Sequence, residues 1–237
     1  GDNKFNDKYL LCNKGKNIND REKHYSELTF HYWFWKNQLS SFESDQWIGF
    51  CQKRRFWLNS KKKNINEKLD NQILKDIPSE WEGYNSIICE PIQLKTKLTK
   101  LIKRGWRNLI NKPSLLLNYN SLSIKDHFDM HHGYGVIDKA INLLNQDDRD
   151  QFRNYVYSKS LFNPHIMFIS NKDIMDKYFN DLFTWLFKCE KIFGFERLKG
   201  YDQTRLYAYL SERYLSFWFK KYTKYLQWPW TFFDFEN

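Results

Sequence analysis

Glu27-Leu28-Thr29-Phe30-His31-Tyr32-Trp33-Phe34-Trp35-Lys36-Asn37 leads, after a short polar stretch, into Trp47-Ile48-Gly49-Phe50-Cys51-Gln52-Lys53-Arg54-Arg55-Phe56-Trp57. The first run has helical length with aromatics on most faces, which predicts a buried helix capped by Ser26. In the second, Gln46 to Cys51 reads as a short core strand, and Gly49 inside it marks a close approach to the backbone. Far downstream, Tyr201-Asp202-Gln203-Thr204-Arg205 runs into Leu210-Ser211-Glu212-Arg213-Tyr214-Leu215. Both regions read as half-buried and yet carry paired arginines or a Glu-Arg couple. A buried charge must be paired or bound to something, because desolvating it alone is costly. Together they predict a polar site set in an aromatic shell.

The remaining chain supplies the rest of an α/β pattern. Tyr84 to Glu90, with Ile87-Ile88-Cys89 at its centre, reads as a second buried strand, and His165 to Ile169 as a third. Residues 59–76 read as an exposed insertion of helical character, with Lys61-Lys62-Lys63 in a solvated loop. Leu94 to Ile110 is periodic and basic, a surface helix. Ser123 caps a helix reaching His132, Gly133 and Gly135 form a turn, and helices follow over 136–145, 147–159, 171–193 and 201–225. Strands alternating with helices, and no long linker, predict a single α/β domain over 1–237 with a short, mostly parallel sheet and a helix-rich second half.

The 237 residues suffice for a substantial core, and a 19% aromatic content places Trp, Tyr and Phe in much of the packing. A net charge of +10 favours anionic partners: nucleic acid, nucleotide-sugar diphosphates or an anionic membrane face. Cys12, Cys51, Cys89 and Cys189 are scattered, with no CxxC pair, which points to reduced thiols, a cytoplasmic setting and no structural zinc. No apolar run has membrane-spanning length and no secretory leader opens the chain, whose Gly1-Asp2-Asn3 start reads as a trimmed terminus. The aromatic tail, Tyr225 to Phe233, either folds back onto the domain or dips into a bilayer interface.

At these residues the sequence resembles a family of bacterial capsular polysaccharide and lipopolysaccharide glycosyltransferases, long catalogued only as a domain of unknown function. The matching blocks are Glu27 to Asn37, Gly49 to Phe56, Tyr84 to Pro91, Asp126 to His132, Phe162 to Ile169 and Leu210 to Arg213. Their order and approximate spacing hold across nearly the whole chain. Where the family has His-Tyr before the paired arginines, this chain has Gln52-Lys53, and its Phe-Asn-Met run is split here by Pro164-His165-Ile166. The family also opens with a strand and a glycine-containing loop expected to hold the nucleotide. Little here corresponds to it, so that strand has been cut off, the donor site is built differently, or activity is lost.

The resemblance implies a GT-A-like fold and transfer of a hexose, of galactose type, from a nucleotide-diphosphate sugar to a surface-glycan or lipid-linked acceptor. It implies work at the inner membrane face. Guanidinium forks at a strand end suit diphosphate oxygens, so Arg54 and Arg55 are expected to bind donor, the alternative being an ion pair with Glu212 or Asp45. Arg213, Arg205, Tyr201 and Asn163 complete the expected donor set. Glu212, Asp202 and His132 are the catalytic candidates; Glu212 is equally a salt bridge to Arg213, and Asp202 equally a helix N-cap. Asp129 and His131 are the candidate ligands for Mn2+ or Mg2+, although Asp126-His127-Phe128-Asp129 is not the Asp-x-Asp motif of GT-A enzymes. Two readings compete: a basic, aromatic nucleic-acid module built on 94–110, and a non-catalytic member with an assembly role. Against the first, the aromatics concentrate in apolar helices.

Overall fold

In the computed structural model, which describes residues 9–60 and 69–234, a four-stranded sheet lies at the centre with helices around it. The chain enters through α1 (Glu22–Tyr25) and α2 (Leu28–Asn37), then makes β1 (Trp47–Gly49), β2 (Arg55–Trp57) and α3 (Leu69–Gln72). β3 (Ser86–Cys89) and β4 (Ile92–Gln93) precede α4 (Leu98–Arg104), α5 (Trp106–Asn111), α6 (Ile124–His132), α7 (Val136–Ile141) and α8 (Gln146–Ser158). β5 (Leu161–Phe162), β6 (Phe168–Asn171), α9 (Lys172–Phe193), α10 (Tyr201–Thr204), α11 (Leu206–Tyr222), β7 (Tyr225–Trp228) and β8 (Trp230–Phe232) complete it.

The sheet order is β1-β6-β3-β7. It is mixed: β3 and β7 run parallel, while β1–β6 and β6–β3 are antiparallel. The parallel character expected from sequence is thus confined to the pair whose connection carries α4 to α11, a long crossover of the kind parallel strands require. All four β3 residues are buried. Side chains alternate across a strand, so Ile88 faces the large core under α9 and α11, whereas Ile87 and Cys89 join Trp57, Trp81 and Trp228 on the other face. Gly49 pairs with Ile169, and a Cβ there would lie 2.8 Å from the Ile169 Cγ1, which is the close approach its sequence position suggested.

Several expectations are corrected. Ser26 does not cap α2 with its side chain; it sits at φ 52° after α1, and its carbonyl accepts from the Thr29 hydroxyl at 2.9 Å. The helix over 94–110 is two helices, broken at Gly105, where any Cβ would meet the Leu101 carbonyl at 2.9 Å. The third strand begins at Phe168, because His165 sits at φ 68° and cannot join a ladder. Of the two placements expected for the aromatic tail, folding back is the one found: β7 joins the main sheet and β8 pairs with β2, leaving Trp228 fully buried. Lys61-Lys62-Lys63 lies outside the described residues. Trp33 and Trp35 donate their ring N–H groups to the Lys14 carbonyl and to Asp176, and Trp47 packs against Trp81. All four cysteines are free, and among the described residues no helix is long and apolar enough to cross a membrane.

Candidate functional site

The β1–β2 connection is a tight turn in which the Gln52 and Arg55 backbones bond each other at 3.3 and 3.1 Å. This turn projects Arg54 at its tip and starts β2 on Arg55, and β8 pins it through the Arg55–Phe232 register and a 2.9 Å bond from the Phe233 N–H to the Arg54 carbonyl. It forms one wall of a cleft of about 1100 Å³. The start of α2 supplies Glu27, and α10 with its C-cap supplies Tyr201 and Arg205. Four of the expected donor residues, Arg54, Arg55, Tyr201 and Arg205, therefore share this cleft.

Their guanidinium groups are held differently. Arg55 donates to Gln52 Oε1 at 2.9 Å, Gln52 in turn donates to Glu27, and the Arg55 Nε is buried without a hydrogen-bond partner among the described residues. Arg54 meets Asp234 at 3.4 Å rather than Glu212 or Asp45. Arg205 lies 4.8 Å over the Tyr201 ring and donates to its hydroxyl at 3.2 Å.

A second cleft of about 580 Å³ adjoins the first through Tyr201 and is lined by Asp202, His131, Arg104, Arg107, Trp106 and Tyr134, among others. Asp202 is not an N-cap; Gly200 holds that position, and the Asp202 carboxylate accepts from Arg104 at 2.8 Å. His132 stacks on Tyr209 at 3.9 Å with Nδ1 2.7 Å from the Asp202 carbonyl, so it anchors the turn that presents Asp202. Burial and then Arg213 push its pKa down to about 3, which keeps the ring neutral.

Glu212, Arg213 and Asn163 line neither cleft. Arg213 is 2% exposed, bonds Glu212 and lies 3.8 Å over the Phe162 ring. The other Glu212 oxygen accepts the His165 backbone N–H at 2.6 Å. Asn163 donates its side-chain amide to the Cys89 carbonyl at 2.6 Å and its backbone N–H to Ser216 at 2.9 Å, tying β5 to β3 and α11. His165 lies between the two charged segments. Burial first, then Arg55, lowers its pKa to about 4, and Glu212 opposes that shift.

Asp129 and His131 do not fit a metal. Both Asp129 oxygens are engaged, one by Lys125 and one by the Gly135 N–H at 3.0 Å, and the His131 Nδ1 faces Arg104 at 3.4 Å. Among the described residues no three metal-ligating side chains come together.

Sequence reasoning missed Glu27, Gln52 and His165 as site residues. Gln52 stands three before Arg55, the spacing of a turn's two ends, and that signal was available. For His165, nothing local announces its positive φ or its bond to a residue on a distant helix.

The fold is shared with a glycosyltransferase structure. The apo form of the WbbM bifunctional glycosyltransferase superposes on 94% of this chain with a TM-score of 0.67 at 20% identity, and the match covers 39% of that chain, so this one spans well under half its length. The chain belongs to the family described as Domain of unknown function (DUF4422), whose model matches residues 1–224. No curated protein matches it.

Proposed function

We propose that this protein is a glycosyltransferase that moves a hexose from a nucleotide-diphosphate sugar to a glycan or lipid-linked oligosaccharide acceptor. The observation that carries this reading is the meeting, on one 1100 Å³ cleft, of Arg54 and Arg55 with Tyr201 and Arg205 from the far end of the sequence. The fold shared with a glycosyltransferase agrees with it.

In the transfer, the bond from the anomeric carbon to the diphosphate oxygen breaks and its electron pair stays on the diphosphate. Arg54, Arg55 and Arg205 meet that charge, with the Arg55 fork pre-aimed by Gln52 and Glu27. The acceptor hydroxyl approaches from the second cleft, its oxygen bonds the anomeric carbon, and its proton passes to Asp202. Of the three catalytic candidates, Asp202 alone presents its functional group in that cleft wall. Glu212 and His132 act as positioning residues, the first beneath His165 and the second behind Asp202.

Calorimetry with UDP, GDP and a random oligonucleotide, together with a nucleotide-sugar hydrolysis panel run with and without manganese, tests this. Nucleotide binding and hydrolysis of one sugar donor are expected. Binding of the oligonucleotide alone would sink the enzyme reading.

A further inference from the structure

Between Glu90 and Asp126 the chain has no acidic residue. This stretch holds α4, α5 and the turn after them, and it shows solvent an apolar series at intervals of four: Leu98, Ile102, Trp106 and Ile110, exposed by 38, 52, 52 and 68%. The following turn adds Leu116 and Leu117, the latter 92% exposed. None of these belongs to the small core beneath, which Leu101 and Leu115 close with Leu122 and Met130. Lys95, Lys97, Lys100 and Lys103 are exposed among them, with no carboxylate partner among the described residues.

A large exposed apolar series is costly to leave in water and marks a contact surface. Here every charged residue of the stretch itself is basic, so the complementary surface is apolar below and anionic above. We infer that α4, α5 and the Leu116–Leu117 turn form a docking face for an anionic lipid bilayer, with the leucines, isoleucines and Trp106 entering the interface and the lysines meeting the headgroups. Arg104, Trp106 and Arg107 belong both to this stretch and to the wall of the second cleft, so docking brings that cleft to the membrane edge, where a lipid-linked acceptor is presented. This consequence rests on the proposed function; the docking face does not.

The test is co-sedimentation of the full chain with vesicles of phosphatidylcholine alone, or of equal parts phosphatidylcholine and phosphatidylglycerol. Binding to the anionic vesicles only is expected, weakening as salt shortens the Debye length. Ile102→Asp/Ile110→Asp and Lys97→Glu/Lys103→Glu should each cut partitioning by about tenfold or more, consistent with the loss of interfacial and headgroup contacts. Circular dichroism confirms that both variants are folded. Equal binding to both vesicle types, binding to neither, or unchanged binding by the variants overturns the assignment. So does a concentration-dependent dimer, or an oligonucleotide complex, that either variant abolishes. UDP calorimetry on the same samples reports the donor cleft separately, so loss of one property leaves the other readable.

Discussion

The His165 backbone N–H donates to the Glu212 carboxylate at 2.6 Å, with His165 itself held in the left-handed region at φ 68°. This contact joins the β5–β6 connection to the middle of α11, and its other arm reaches Arg213, which is almost fully buried. A non-glycine residue keeps such a backbone only when its surroundings over-determine it. Here they do: Pro164 precedes it, Trp230 packs edge-on at 4.4 Å, and Glu212 takes its N–H. Arg55 acts on the same imidazole from the turn side. The arginine turn and the late Glu-Arg couple therefore converge, but through His165, and Glu212 and Arg213 line neither cleft.

Glu212 is accordingly expected to show its importance in stability. Glu212→Leu leaves Arg213 as a buried charge over the Phe162 ring without its carboxylate, at a cost of about 3–5 kcal/mol. Glu212→Leu combined with Arg213→Met should recover most of that loss, since removing both charges lifts the desolvation penalty. Urea denaturation measures both; a Glu212→Leu variant as stable as the parent would mean the pair is not the anchor described.

Stability should fall on mild acidification. Burial lowers the pKa of His127 to about 2, of His132 to about 3, and of His131 and His165 to about 4, with Arg213 or Lys100 adding to it in the α6 histidines. Unfolded, each titrates near 6.5, so between 6.5 and these values the unfolded chain binds more protons than the native one. Their contribution is complete above pH 6.5 and is lost as pH falls toward 4 and below. For a ring as buried as His132 the loss at pH 5 is roughly 2 kcal/mol. Denaturation midpoints at pH 7.5 and 5 should separate, and His132→Gln should narrow the gap; a flat profile would contradict the neutral, buried assignment.

The sequence made the elements with strong local signals legible. The aromatic run at 28–37, the β1 and β3 strands, and α6 with its Ser123–Asp126 capping box all stand where hydrophobic period and cap chemistry place them. The errors share a cause: tertiary contacts overrode local pattern. The unbroken 94–110 periodicity hides Gly105, where α4 ends and α5 begins and a Cβ would crowd Leu101 and Met130. His165 looked like a strand residue until the distant Glu212 took its N–H. The tail's pairing depends on β2 and β3, more than a hundred residues away in sequence, which no local window contains. For the site, the arginine turn and α10 were legible as charged segments. That Glu212, Arg213 and Asn163 would stay out of the cleft wall was not, because burial depth is a property of the assembled layers.

Gly49 offers a check on the sheet itself. A methyl group there would stand 2.8 Å from the Ile169 Cγ1 across the β1–β6 pair, and Ile169 is anchored in the tryptophan cluster behind it. Gly49→Ala should therefore destabilise by about 1–3 kcal/mol through overpacking, and adding Ile169→Val should return part of it. Thermal melts of the single and double variants decide the matter. A neutral single variant would show that β1 and β6 are not so closely apposed.

The most direct probe of the cleft is Arg55. Its Nη1 is oriented by Gln52, Gln52 is held by Glu27, and its Nε faces no partner among the described residues. Arg55 lines the cleft, and its oriented guanidinium fork suits the oxygens of a diphosphate. Arg55→Ala should weaken UDP binding by about tenfold to a hundredfold, the worth of one charge-assisted hydrogen bond of roughly 1.5–3 kcal/mol. Arg55→Lys should not restore it, because an ammonium cannot reproduce the fork that Gln52 aims. Gln52→Ala should give a smaller loss, since the guanidinium survives without its orienting partner. Calorimetry on folded variants reads all three; unchanged UDP affinity in Arg55→Ala would remove this turn from the donor site and leave Arg205 to be tested in its place.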